Sequence, residues 1–504
     1  MNTESWLNPP PGRCRLWLGV FLVALSAFRL WYIQVLPLSE DEAYYWVWSR
    51  HLAWGYFDQG PLVAWLIRLG TWLGGDGAWG VRWPAVLLSL GISLLLYDLC
   101  RRLWRDEALG LWLVVAANSS LLLAAGAVIH TYDTAQAFFW LLTLYLLALA
   151  LFAGRRWAWY GAGVSLGLAV LAKYSSALLP FLLLGYLLTS RRHRFWLGRK
   201  EPWLAAGLAL LVFAPNLWWN ATHGWQTVLW NLGRAGGEWK FTLFEFLPGQ
   251  WGLAGPVFFV FLVWGLVLAW RQARQGDESQ SFLLWLSLPV LALFTLLSMK
   301  TRVQANWPAV GYLAALPAAA RAIWPRLLER RRWRRWGVIG LVSGYLLLAV
   351  AHFPLPLIRA ISPSPDNDPL ARIYGWSGLG RAVAAELAAW HDAKRPFVFS
   401  QRHQLAALAA FYTPGRPQVA GLFLPGDKPN AYYTITDPAR LKGRDGLAVV
   451  YGRPSLELLF RRVGPVRTVE LKGPAGRVLH RVNLIRCRGF KGRDFRPPGM
   501  TGRP

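Results

Sequence analysis

The recurrence of long apolar runs constrains this chain more than any other feature. From Leu16 to Phe353, stretch after stretch is dominated by Leu, Ala, Val, Phe and Trp. Each stretch is long enough, as a helix, to cross a hydrocarbon core of about 30 Å. Hydrophobic residues make up 55% of the 504 and charged residues only 16%, a balance too apolar for an ordinary soluble chain of this length. Past Pro354 no run of this kind occurs. The pattern predicts a polytopic α-helical membrane protein with a separate C-terminal region.

The net charge of +28 invites a nucleic-acid reading, since 54 Lys and Arg face 26 acids. Placement of the charge argues against it. Basic clusters fall in alternate loops, RRLWRDE at 101–107, GRRW at 154–157, SRRHRFWLGRK at 190–200, RQAR at 271–274 and RLLERRRWRR at 326–335. That alternation is the positive-inside pattern. It orients a chain with a cytoplasmic N-terminus and about eleven spans, near 16–36, 82–100, 109–129, 135–153, 157–172, 175–189, 203–219, 251–270, 281–298, 307–323 and 337–353. The first run is too long for a cleaved signal core and is followed by PLSEDEA, so it reads as a retained anchor. Cys14, Cys100 and Cys487 have no metal-ligand spacing and no disulfide framework is expected.

Residues 1–353 thus form the membrane domain, with a first outer loop at 37–81, followed by a proline-rich linker at 354–370. After it the text changes. RPFVFS, GLAVVYG and VRTVEL read as strands, whereas GLGRAVAAELAAWHD and QRHQLAALAAFY read as helices, which predicts a small extracytoplasmic α/β domain over 371–504.

The chemistry-bearing side chains emerge on one face. Asp41, Glu42, Arg50, His51 and Asp58 fall in the first outer loop, Asp133 in the second, Lys173 in the third, His223 in the fourth, and Lys300 with Arg302 in the fifth. A charge at an apolar boundary is costly, so Asp133, in a short turn, is expected to line a polar cavity. Two carboxylates in a partly dry cavity can divide labour, one as general base while the other orients a hydroxyl or holds a divalent cation. Lys173 and Lys300 suit a phosphate as point charges. The stretch SEDEAYYWVWSRHLAWGYFDQGP at 39–61 is too polar to span and too amphipathic to float, and reads as one or two short helices lying along the outer surface. The implied substrate is an anionic lipid whose headgroup enters from the outer leaflet.

These residues resemble the GT-C membrane glycosyltransferases of the protein O-mannosyltransferase and aminoarabinose-transferase type. DEAYYWVWSRHLAWGYFD looks like the family's acidic loop, and HTYDTAQAFFW resembles its second acidic turn. LAKYSSALLP, PNLWWNATHGW, LPGQWGLAGPVFF and KTRVQANWPAVGYLAALP are similar to later signatures, so the likeness covers about 16–325. It implies catalytic roles for Asp41, Glu42 and Asp133, with Asp41 and Asp133 as ligands if a divalent cation takes part. It also implies a polyprenyl-phosphate-linked sugar donor, a lipid, glycan or protein acceptor, and inverting displacement at the outer face of the inner membrane. Two positions depart from the pattern. YFDQGP carries Gln59 where relatives place His or Lys near the phosphate, leaving that contact to Arg50, His51 or Lys300; and Tyr132 replaces a proline before Asp133. A transporter or flippase of lipid-linked sugars is the alternative, although such proteins tend to carry ionisable groups at mid-membrane in paired repeats.

Overall fold

The computed structural model describes residues 7–235, 239–354, 356 and 369–496. Most of the expected linker, 357–368, lies outside the described residues. The chain divides into two compact units. One comprises 1–31, 84–215 and 232–354; the other comprises 32–83, 216–231 and 355–504. The first outer loop therefore belongs with the C-terminal domain, a grouping that the sequence boundaries 1–353 and 371–504 do not anticipate.

The first unit is helical. Among the described residues of the whole chain, seven helices are long and apolar enough to cross a membrane: Pro11–Val35, Ala78–Trp104, Tyr132–Phe152, Lys200–Thr222, Pro256–Arg274, Glu278–Ser298 and Arg331–His352. Glu107–Asn118 and Leu121–Val128 make an eighth if taken as one span, bent by 73° where Ser119 and Ser120 intervene. The eleven spans expected are thus not all matched by long apolar helices. Trp157–Ala172 has 16 residues. At about 1.5 Å per residue such a helix is shorter than the core of a bilayer. The break expected at Lys173 is present, an extended residue between Trp157–Ala172 and a 3₁₀ turn leading into Leu179–Thr189. Ala309–Glu329 contains Pro317 and Pro325 and is mostly buried.

Packing in this unit follows lipid rather than water. Helices Lys200–Thr222 and Arg331–His352 leave Leu210, Leu211, Val342 and Leu346 uncovered, as lipid-facing side chains require. Inside, Trp140, Leu141 and Leu144 of Tyr132–Phe152 are buried in a continuous core. Pro256–Arg274 meets Ala309–Glu329 at Gly265, where an added Cβ would lie 2.6 Å from that of Ala319. Small residues permit this approach, which gives dispersion contact where no hydrophobic effect is available.

The second unit holds a five-stranded sheet in the order β2-β1-β3-β5-β4. The strands are β1 (Phe397–Ser400), β2 (Val419–Gly421), β3 (Gly446–Val450), β4 (Phe460–Lys472) and β5 (Val478–Phe490). β1 pairs in parallel with β2 and β3; β5 pairs antiparallel with β3 and β4. Phe397 and Phe399 pack on Phe460 and Phe490 in its core. The predicted helices form as Trp376–Ala388 and His403–Tyr412.

The same unit contains two loop helices. Glu40–Arg50 is buried from Glu42 to Ser49. Leu62–Gly74 is amphipathic: it buries Val63 and Ile67 and exposes Leu69, Trp72 and Leu73. The one or two surface helices expected at 39–61 reduce to Glu40–Arg50, and Leu62–Gly74 is an addition.

Candidate active site

In the second unit, the acidic run sits in the first turn of Glu40–Arg50. Ser39 caps that helix: its hydroxyl accepts from the Glu42 amide at 3.4 Å, while the Glu42 carboxylate accepts from the Ser39 amide at 3.0 Å. This capping box fixes the helix start, and acids in a first turn are favoured by the helix dipole. Glu42 is fully buried and forms a two-pronged pair with Arg82, Nε to Oε1 and Nη2 to Oε2, both at 2.6 Å. Arg82 also donates to the carbonyls of Leu36 and Pro37, so one guanidinium ties the chain before the helix to the helix itself.

Glu42, expected among the catalytic acids, has both carboxylate oxygens engaged by Arg82 and one also by Ser39. Successive helical residues point about 100° apart. Burying Glu42 turns Asp41 outward, and Asp41 is exposed. Glu40 is partly buried; burial, and the adjacent Asp41, raise its carboxyl above the ordinary range against the pull of Arg372 and Arg402. Arg372 and Arg402 are thus C-terminal-domain cations acting on the acidic turn.

Asp58 accepts from the Tyr44 hydroxyl at 2.6 Å. That hydroxyl in turn accepts from the Ala431 amide at 2.6 Å. The Leu38 amide donates to Tyr412 at 2.7 Å, and Tyr44 packs on His403 with ring centroids 4.5 Å apart. Arg50 bonds Ser49 and Thr71 and pairs with Asp76 at 3.4 Å. His51 is exposed, and the backbone carbonyl of buried Gln59 accepts from the Tyr56 amide at 3.3 Å. His223 stacks on Trp219 at 4.2 Å and bonds the Trp219 carbonyl at 2.8 Å through Nδ1.

In the first unit the sequence-selected residues Asp133 and Lys173 meet. Thr131 caps Tyr132–Phe152, which puts Asp133 in the first turn. Its Oδ1 accepts from Lys173 Nζ at 2.7 Å and its Oδ2 from Asn306 Nδ2 at 2.8 Å. Lys173 also lies 5.3 Å from the Tyr132 ring, so the tyrosine standing in place of proline helps hold the cation. Asp133 and Asn306 stand at the wall of a cavity of about 260 Å³ whose remaining lining is mainly apolar, from Ile92 to Leu316. The sequence leads one to expect Asp133 to line a polar cavity; the cavity it borders is mainly apolar, and its charge is met by Lys173 and Asn306 instead. Lys300 and Arg302 are exposed, and neither hydrogen bonds nor ion pairs join them to Asp133 among the described residues.

The donor set does not suit the divalent cation considered for Asp133. Lys173 already neutralises it, and among the described residues no three His, Cys, Asp or Glu side chains gather as ligands. Sequence reasoning missed Arg82 and Asn306. Arg82 was legible only as an arginine beginning an apolar run, and Asn306 as one residue of KTRVQANWP.

Comparison with known proteins now bears on this geometry. Residues 58–219 match the family model described as dolichyl-phosphate-mannose-protein mannosyltransferase. The undecaprenyl phosphate-alpha-4-amino-4-deoxy-L-arabinose arabinosyl transferase of Pseudomonas aeruginosa is 32% identical over 400 residues, covering 73% of this chain and 69% of that protein. The chain belongs to this family of membrane glycosyltransferases. A lipid A galacturonosyltransferase, RgtD of Rhizobium johnstonii, is also similar, 28% identical over 73% of this chain and 76% of that protein. ArnT from Cupriavidus metallidurans, solved bound to undecaprenyl phosphate, shares the fold with a TM-score of 0.64 at 18% identity, over 92% of this chain and 97% of that one. As a family member the chain is an integral membrane glycosyltransferase of GT-C type, as its residues suggest.

Proposed function

We propose that this glycosyltransferase moves a sugar from an undecaprenyl-phosphate-linked donor to lipid A, at the periplasmic face of the inner membrane. The relatives' substrates support the donor and acceptor classes: an undecaprenyl phosphate sugar in one case and lipid A in another. The alternation of basic loops supports the orientation.

Asp41 carries the reading of mechanism. Glu42 and Arg82 are locked together, so the helix presents Asp41 outward from a rigid first turn. Asp41 removes the proton of an acceptor hydroxyl as its oxygen bonds the anomeric carbon. The bond from that carbon to the phosphate oxygen breaks with its electron pair, and undecaprenyl phosphate leaves as the anion. Attack opposite the leaving group inverts the configuration. Glu40 lies beside Asp41 in the same turn, its carboxyl raised above the ordinary range chiefly by burial. Asp133 and Lys173 hold the outer ends of their helices and the mouth of the cavity that they border.

Mass spectrometry of envelope lipids from a deletion strain, complemented with wild type or Asp41→Asn, tests this. Wild type alone should restore one sugar on lipid A, while the donor accumulates without it; Asp41→Asn should lower turnover by about 100-fold or more. Full complementation by Asp41→Asn would sink the base assignment and favour a flippase.

A further inference from the structure

The second unit contains a cavity of about 540 Å³, the roomiest of those described, whose role the acidic turn does not explain. Its walls come from the end of the Glu40–Arg50 helix and from the segments 416–420 and 432–441 of the C-terminal domain. Arg50, Arg416 and Arg440 line it with Asp76 and Asp437, so cations outnumber acids. Trp46 forms an aromatic wall with the Arg416 guanidinium 4.9 Å and the Arg50 guanidinium 5.5 Å from its ring.

Asp76 receives both arginines and, at 2.7 Å, the Trp46 indole N–H. One carboxylate thus holds two guanidiniums and an aromatic plane in a fixed arrangement. Arg416 uses Nη1 and Nη2 on Asp76 and its carbonyl, and among the described residues its Nε has no acceptor. Arg440 stands at the exposed rim, 3.2 Å from Asp437. Burial, with Arg68 and Arg416 nearby, brings the Arg50 pKa down to about 10, as happens where cations crowd without enough counter-charge.

Tyr432 gives the second, independent indication. It is 1% exposed, lines this cavity, and its hydroxyl has no hydrogen-bond partner among the described residues. Buried hydroxyls are ordinarily satisfied, and Tyr432, which lines the cavity, carries one that no described residue satisfies. Arginine forks suit phosphate, and an aromatic plane suits the apolar face of a sugar ring.

We infer that this cavity is a binding site for a phosphorylated saccharide, with Arg416 and Arg440 on the phosphate and Trp46 and Tyr432 on the sugar. The inference deepens the proposed function: Arg50 lies nine residues beyond Asp41 on the same helix, about 13 Å along its axis at 1.5 Å per residue. A disaccharide headgroup gripped by its phosphate at this end can extend toward the acidic turn. The same chemistry also fits a soluble sugar phosphate.

Titration calorimetry on the full chain in detergent tests it, with glucose 1-phosphate, inorganic phosphate and glucose as probes. Glucose 1-phosphate should bind more tightly than either of the others. Arg416→Gln and Arg440→Gln should each weaken it about tenfold. Arg440 is at the rim with a single surface partner, so its variant stays folded even if Arg416→Gln does not. Tyr432→Phe should weaken sugar-phosphate binding several-fold without loss of thermal stability, a result that a merely structural tyrosine does not give. Phosphorylated lipid A that competes with glucose 1-phosphate identifies a lipid headgroup as the occupant; lack of competition identifies the soluble compound. Absence of phosphate-sugar binding, or binding unaffected by Arg440→Gln and Tyr432→Phe, overturns the site. Failure of wild type to glycosylate lipid A would instead refute the proposed function and leave this binding result standing.

Discussion

Replacing Glu42 by Gln keeps the side chain's size and removes its charge, leaving the Arg82 guanidinium buried without its counter-ion. Both side chains are fully buried and meet through two hydrogen bonds of 2.6 Å. Breaking a buried pair from one side costs about 3–5 kcal/mol. The capping box goes too in part, since a neutral amide accepts less strongly from the Ser39 amide. For a unit of this size each kcal/mol moves the midpoint of unfolding by roughly 2–4 °C, so the expected loss is about 6–20 °C. Differential scanning fluorimetry of the detergent-solubilised protein measures it, with Asp41→Asn in parallel. Asp41 is exposed, and its variant should melt within about 0.5 kcal/mol of wild type while losing turnover. A double variant, Glu42→Gln with Arg82→Met, should recover much of the stability lost by Glu42→Gln alone, because no uncompensated charge remains. If Glu42→Gln melts with wild type and still abolishes transfer, Glu42 acts in the chemistry and the separation of roles between the two acids is wrong.

Lys173→Met should destabilise the membrane unit by about 1.5–3 kcal/mol, since Asp133 loses a charged partner at 2.7 Å in a half-buried place. Lys173→Met with Asp133→Asn should restore most of it, which urea titration can follow; equal melting of all three would deny the pair a structural role. His403 gives a pH test. Burial, and Arg402 beside it, lower its pKa from 6.5 to about 4. The unfolded chain then binds the extra proton between those values, so His403's contribution to stability is present above pH 6.5 and is lost as pH falls toward 4, by about 3 kcal/mol. Glu40 has a raised carboxyl and works in the opposite sense, losing its contribution as pH rises. His403→Gln should therefore flatten the acid limb of the stability profile; an unchanged limb would remove His403 as its source.

How far the sequence could be read depended on the range of the interactions involved. Helix period and length are local, and the long spans and the break at Lys173 were legible from them. The count of eleven was not, because Trp157–Ala172 and Ala309–Glu329 are apolar by composition while one is short and the other carries two prolines. β5 was missed because it is buried on both faces, at Val482 and Leu484 on one and Ile485 and Cys487 on the other, with Arg481, Arg486 and Arg488 interspersed, so no simple alternation shows. Two of these arginines are accounted for by partners far along the chain, Arg486 on Glu386 and Arg488 on Asp392. The acids of the site were visible as residue types at an apolar edge. Their division into outward Asp41 and locked Glu42 depended on Arg82, 40 residues away, and no local pattern announces such a pair.

The hydrogen bond from the Leu38 amide to Tyr412 spans 374 positions. At about 5–20 residues per second of synthesis, roughly 20–75 s separate the emergence of those two groups. Throughout that interval the Glu40–Arg50 helix lacks its contacts with Tyr412, His403 and Ala431. The acidic turn therefore acquires its final setting only after nearly the whole polypeptide has been made and its last domain has folded. A ribosome that stalls in the second half of the message leaves inserted spans whose acidic turn lacks these contacts.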